Sequence, residues 1–319
     1  MRRWLAGLVA AGVAVGGCGA ADNEASDGGE SRGIQVVAAF YPVAEAAGRV
    51  GGDGVKVTNL TPAGTEPHDL ELTPDQVDQL EDADLVVYLG NGFQPAVEAA
   101  LERREGPTLD LLEKLAVEAG AVEALEAEEL GEEGEEAEEE HAGEEIDPHF
   151  WLNPDLLSQA AEAIKAELEK LDSAGTASFA ANLTSYQMQL GELDDDFESS
   201  LANCARKEIV TSHAAFFYLT DRYGLTQVPI AGLSPESEPD AQRIADLTTL
   251  IKDRGITTVF YETLVAPDVA QALAREAQVQ TAVLDPIEGL SEDDVTAGKD
   301  YSDVMRQNLA ALQTALGCS

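Results

Sequence analysis

The chain has 319 residues, 44 % of them apolar, which is enough for about two domains with buried cores. Its formal net charge is −42, from 61 acidic and 19 basic side chains. Such acidity argues against nucleic acid and anionic lipid as partners and favours cations near the surface.

Residues 1–18 read as a secretion signal. Arg2 and Arg3 give a basic start, and Leu5 to Val15 is apolar but too short to span a bilayer. Val15-Gly16-Gly17-Cys18 resembles a bacterial lipobox, in which small residues precede a cysteine that is lipidated and becomes the new N-terminus. Cys18 is therefore expected to carry a lipid anchor; the alternative is an ordinary signal peptide with an incidental cysteine. Residues 19–33 are a flexible tether of small and acidic residues. Cys204 and Cys318 remain, and in an exported protein a leftover pair is expected to form a disulfide. Two unrelated buried thiols are the alternative.

The first lobe is expected over residues 34–175. Ile34 to Ala39, Val55 to Leu60 and Leu85 to Leu89 read as strands, and Val43 to Val50, Pro74 to Leu80 and the stretch after Pro154, with Leu156, Leu157, Ala160, Ile164, Leu168 and Leu171 at helical spacing, as helices. Short continuous apolar runs between helices predict a parallel sheet covered on both faces. Within this lobe, residues 117–146 hold 14 glutamates, His141 and no basic residue. Like charges at that density cannot build a core, so the stretch reads as a surface loop. It is either a solvated insert or a weak collector of divalent cations helped by His141.

Residues 176–205 read as a connecting helix. Phe179, Leu183, Tyr186, Leu190, Leu193, Phe197 and Leu201 recur every three or four residues, over a length of roughly 40 Å. The second lobe, residues 206–319, alternates strands at Ile209–Thr211, Gln227–Ile230, Thr258–Tyr261 and Thr281–Leu284 with helices at 240–254, 268–278 and 301–316. Pro229 marks the second of these as an edge strand. The fold class is α/β: two lobes, each a mainly parallel sheet with flanking helices, joined by one long helix.

Three of the four histidines fall at the ends of elements. His68 follows the second strand, His213 follows Ile209–Thr211, and His149 lies between prolines in Asp147-Pro148-His149-Phe150-Trp151-Leu152-Asn153-Pro154. Asp285 follows the last strand. Ligands of open α/β sheets bind beyond the carboxyl ends of strands. Three imidazoles and one carboxylate form a tetrahedral zinc set, and neutral nitrogen donors favour zinc over calcium or magnesium. Asp285 could instead cap its turn. Asp147 and Glu262 could orient histidines from behind or bond elsewhere, and Glu262 could act as a general base. A solvated or hydrogen-bonded histidine is the ordinary reading of each one alone.

Pro67-His68-Asp69, the Asp147–Pro154 motif, Thr211-Ser212-His213-Ala214-Ala215-Phe216 and Leu284-Asp285-Pro286 resemble the motifs of the zinc- and manganese-binding lipoproteins of ABC transporters. The resemblance runs from about Ile34 to Leu316. It implies metal at the interface of the lobes, held by His68, His149, His213 and Asp285; as a departure from the pattern, Glu66 is a carboxylate near the first ligand that could compete with Asp285 as the oxygen donor. Manganese-binding members tend to carry glutamate at the third histidine, so His213 tilts the expectation to Zn2+ over Mn2+. The acidic insert lies where zinc-binding members carry a metal-rich loop, but it is rich in glutamate rather than histidine.

The function implied is a monomeric extracytoplasmic receptor, lipid-anchored to the membrane, that hands zinc to a permease and its ATPase. Affinity is expected to fall below about pH 6.5, near the histidine reference value. The rival of another class is a zinc hydrolase, which needs an open coordination position and a base. No HExxH pattern is present.

Overall fold

The computed structural model describes residues 33–115, 146–237 and 239–319. In chain order the first half holds β1 Ile34–Ala38, α1 Tyr41–Gly51, β2 Val55–Asn59, α2 Pro74–Asp82, β3 Leu85–Tyr88, α3 Pro95–Leu101, β4 Thr108–Asp110, α4 Leu111–Leu115, α5 Pro154–Leu171 and α6 Thr176–Leu201. The second half holds β5 Glu208–Thr211, α7 Phe217–Tyr223, β6 Thr226–Pro229, α8 Ala241–Arg254, β7 Thr258–Tyr261, α9 Asp268–Ala277, β8 Gln280–Val283, α10 Glu292–Ala297 and α11 Tyr301–Leu316.

The strands form two four-stranded sheets of the same order, β2-β1-β3-β4 and β6-β5-β7-β8, and every pairing is parallel. Parallel strands need a crossover, and the intervening helices provide it. The central strands are continuously apolar because both faces are covered; Leu85, Val86 and Val87 are fully buried. Pro229 sits on the edge strand β6, where a missing N–H costs no ladder bond.

The long helix α6 buries all seven residues of its expected stripe. It packs against α1 and α5 on one side and against α7 and α11 on the other, so it bridges both lobes. Asp194 is a polar residue in that stripe. It is satisfied by Arg222 at 2.5 and 3.0 Å and by the Tyr223 hydroxyl at 2.9 Å. One core runs from the first sheet through α5, α6 and α11 to the inner side of the second lobe. A smaller core lies between the second sheet and α8 and α9.

The elements not expected from sequence, α3, β4, α4, α7 and α10, are three to seven residues long. A hydrophobic period is not measurable over so short a span. Helix α1 starts at Tyr41 rather than Val43, because Pro42 is tolerated in a first turn. Cys204 and Cys318 form a disulfide that ties the C-terminal residues to the segment after α6. The acidic stretch with His141, the secretion signal, Cys18 and the tether up to residue 32 lie outside the described residues.

Candidate metal centre

His149 is placed by its own motif. Pro148 stiffens the backbone, and a single 3-10 turn, Phe150–Leu152, follows directly. Asp147 Oδ1 accepts the backbone N–H of His149 at 2.9 Å and its Nδ1 at 2.7 Å. The Tyr218 hydroxyl donates to the Asp147 carbonyl at 2.9 Å. His213 leaves the carboxyl end of β5, and its carbonyl accepts from Thr211 and Gln227. Its Nδ1 lies 2.6 Å from Glu262 Oε1, at the carboxyl end of β7. A carboxylate oxygen only accepts, so both rings carry a proton on Nδ1 and direct Nε2 inward.

His68 lies in the loop after β2. Glu66 forms its turn by accepting the backbone N–H groups of His68 and Asp69 at 3.1 and 3.3 Å. Its ring meets Phe93 edge-on at 4.7 Å between centroids. Phe93 also touches Phe40 and Trp151, so His68 rests on an aromatic floor.

The three Nε2 atoms converge on Glu288 Oε1, at 3.3 Å from His68, 3.0 Å from His149 and 3.3 Å from His213. The Nε2 atoms of His149 and His213 are 3.4 Å apart. Zinc–nitrogen bonds of 2.0–2.1 Å in a tetrahedron require donor–donor edges of about 3.3 Å. These four separations fit such a cage. Three of the four donors are imidazole nitrogens, whereas calcium takes six to eight oxygens.

Asp285 does not join the group. His68, His149, His213 and Glu288 are the set of donors brought within 4.8 Å of one another. The two Asp285 oxygens accept from the Thr263 hydroxyl and from the Ile287 N–H. Glu288 was missed because it stands three residues beyond the expected carboxylate, past a backbone reversal at Ile287 that sequence does not announce. Glu66 adjoins the cluster beside Glu288, and Asp147 and Glu262 stand behind two of the histidines.

The electrostatics follow from burial. Burial lowers the His213 value, but the carboxylates of Glu262 and Glu288 outweigh it and push it up to about 10. His149 is likewise depressed by burial and raised overall by Asp147 and Glu288. Burial raises Glu288, and hydrogen bonds from His149, His213 and His68 reverse this and hold it well below the carboxylate range. Burial and the neighbouring Glu288 push Glu66 up to about 8. Without a metal, contacts from the imidazole Nε2 atoms to Glu288 hold the cluster together. A divalent cation would replace them.

Residues 36–315 match the family model described as ZnuA, zinc-uptake complex component A, periplasmic. The zinc-binding protein AdcA of Streptococcus pyogenes is 37 % identical over 286 residues, which cover 88 % of this chain. The chain spans only 55 % of that relative's length. The high-affinity zinc uptake system protein ZnuA of Bacillus subtilis is 36 % identical over 302 residues, 95 % of this chain and 93 % of that one. Among solved structures, the Zn(II)-bound ZnuA-like domain of Streptococcus pneumoniae AdcA superposes with a TM-score of 0.71 at 33 % identity, covering 89 % of this chain and 99 % of that domain. With its two like-ordered parallel sheets and its cluster of three histidines and Glu288, this chain belongs to the ZnuA family of zinc-uptake components.

Proposed function

We propose that the chain is an extracytoplasmic zinc receptor. It captures one ion with His68, His149, His213 and Glu288 and delivers it to the permease and ATPase of an ABC transporter. The observation that carries this reading is the convergence of three imidazole Nε2 atoms on one carboxylate oxygen at tetrahedral spacing. Two of the imidazoles are fixed in the metal-binding tautomer by buried carboxylates, the arrangement that orients zinc ligands. Three neutral nitrogens favour zinc over manganese.

The relatives named as zinc-uptake proteins are transport receptors rather than enzymes, and four protein donors leave no position for the water a hydrolase needs. The lipobox at Cys18 supports a lipid anchor on the outer face of the membrane, and among the described residues no helix is long and apolar enough to cross it. The receptor would act as a monomer.

Competitive titration of zinc against manganese on the purified chain tests the reading. One tight zinc equivalent that manganese displaces poorly is expected. A preference for manganese would mean that oxygen donors dominate and would overturn the metal assignment.

A further inference from the structure

Glu288 reaches the histidines through an unusual piece of backbone. Ile287, immediately before it, has φ 57°. A β-branched residue in the left-handed region is a genuine outlier, which persists only where its surroundings fix it. Here they do so from four directions. Asp285 Oδ1 accepts the Ile287 N–H at 2.7 Å. Asp285 Oδ2 accepts the Thr263 hydroxyl from the loop after β7. Asn308 of α11 holds the Asp285 backbone from both sides, accepting its N–H at 2.8 Å and donating to its carbonyl at 2.6 Å. The Trp151 indole donates to the Pro286 carbonyl at 2.7 Å, tying this loop to the one that carries His149. Asp285, Ile287, Asn308 and Trp151 are all buried.

We propose that Asp285 is a positioning residue. It holds Ile287 in the left-handed turn that aims the Glu288 carboxylate at the three imidazoles. This role rests on the zinc-receptor reading above and adds to it a division of labour between two neighbouring carboxylates: Glu288 meets the ion, and Asp285 sets the turn. Asparagine keeps the acceptor oxygen that the turn needs, whereas alanine removes it. Glycine enters the left-handed region without steric cost, so glycine at position 287 lowers the strain that the clamp must hold.

The test is zinc affinity by chelator competition on the full chain, with thermal unfolding of the zinc-free protein measured alongside. Asp285→Ala is expected to lose about 10–100-fold in affinity, the span for partners that orient metal ligands. Asp285→Asn is expected to retain most of it. Ile287→Gly melts lower, because it empties a buried position. The double variant Asp285→Ala/Ile287→Gly regains most of the affinity lost by Asp285→Ala. Should Asp285→Ala fail to fold, Asp285→Asn decides: a tenfold or larger loss there overturns the proposal, since it marks Asp285 as a ligand rather than a clamp. Wild-type zinc binding with an unaffected Asp285→Ala variant overturns this role alone. A wild-type chain that binds no zinc overturns the receptor reading and this role with it.

Discussion

The two sheets have the same strand order and the same parallel sense, yet the lobes supply the site differently. The second lobe provides His213 and Glu288, both almost wholly buried, with Glu262 behind the imidazole. The first lobe provides one histidine of that kind, His149 backed by Asp147, and one of another kind. The His68 side chain is 12 % exposed, and among the described residues no carboxylate braces its Nδ1. The rule that separates them is desolvation. An imidazole taken wholly out of water needs a partner for each ring nitrogen, whereas one that reaches solvent does not. His68 therefore forms the solvent side of the cage, and His149 and His213 form its rigid back.

The largest effects should break this contrast cleanly. His213→Ala and His149→Ala should each reduce zinc affinity by more than about 100-fold, beyond the span for partners that only orient ligands. They should also lower the melting temperature of the zinc-free protein. Each leaves a buried carboxylate without its partner, a loss of order 3–5 kcal/mol in buried pairs. His68→Ala should lose zinc as well, but its zinc-free form should melt close to the wild type. Equal destabilisation by all three would refute the distinction.

Next in size are the braces themselves. Asp147→Asn and Glu262→Gln should weaken zinc binding by about 10–100-fold without removing a donor to the metal. Isothermal titration of each variant would show it, and unchanged affinity would reduce both carboxylates to packing.

The pH dependence sharpens the comparison further. Zinc needs the Nε2 lone pair, and a His213 value of about 10 keeps that nitrogen protonated at neutral pH in the zinc-free protein. Affinity should therefore keep rising above pH 6.5, by up to about tenfold per pH unit for each proton displaced. The sequence alone predicted a fall only below that value. Zinc-free stability should run the opposite way. The raised His213 contributes stability that is complete below about 6.5 and is lost as pH rises towards about 10. The lowered Glu288 contributes stability above about 4.5 that is lost in acid. Melting temperatures of the zinc-free protein that rise between pH 7 and 10 would contradict this sign.

The smallest effect belongs to the surface link between the lobes. Arg49 of α1 contacts Asp300, the cap of α11, at 2.7 Å and Glu45 at 2.8 Å, but its side chain is 37 % exposed. Arg49→Ala should cost no more than about 1 kcal/mol and leave zinc affinity unchanged. A large loss of affinity would mean that this contact controls how the lobes meet at the site.

Much of this was legible in the sequence. The seven-residue stripe on α6, the apolar strands and the proline-braced His149 all write their structure in local pattern, and the three clustered histidines could be picked because they are three of only four in the chain and all lie in loops between elements. The fourth member of the cluster could not be read this way. Asp285 stands two residues past the end of β8, where the sheet rule expects a ligand, but its oxygens serve the turn. Glu288 is brought inward by a backbone state that isoleucine disfavours and that long-range contacts from Thr263, Asn308 and Trp151 impose. Local propensity carries no trace of such contacts. The partner carboxylates were candidates from the sequence: Asp147 lies two residues before its histidine, and Glu262 follows the strand that pairs with the one leading to His213.

A crystal structure of the zinc-loaded chain, with the ion located by its anomalous signal, tests the central claim most directly. The account predicts one zinc bound to Nε2 of His68, His149 and His213 and to a Glu288 oxygen, with Asp285 still bonded to Thr263 and Ile287. Zinc held by an Asp285 oxygen, or lacking one of the three imidazoles, would contradict it.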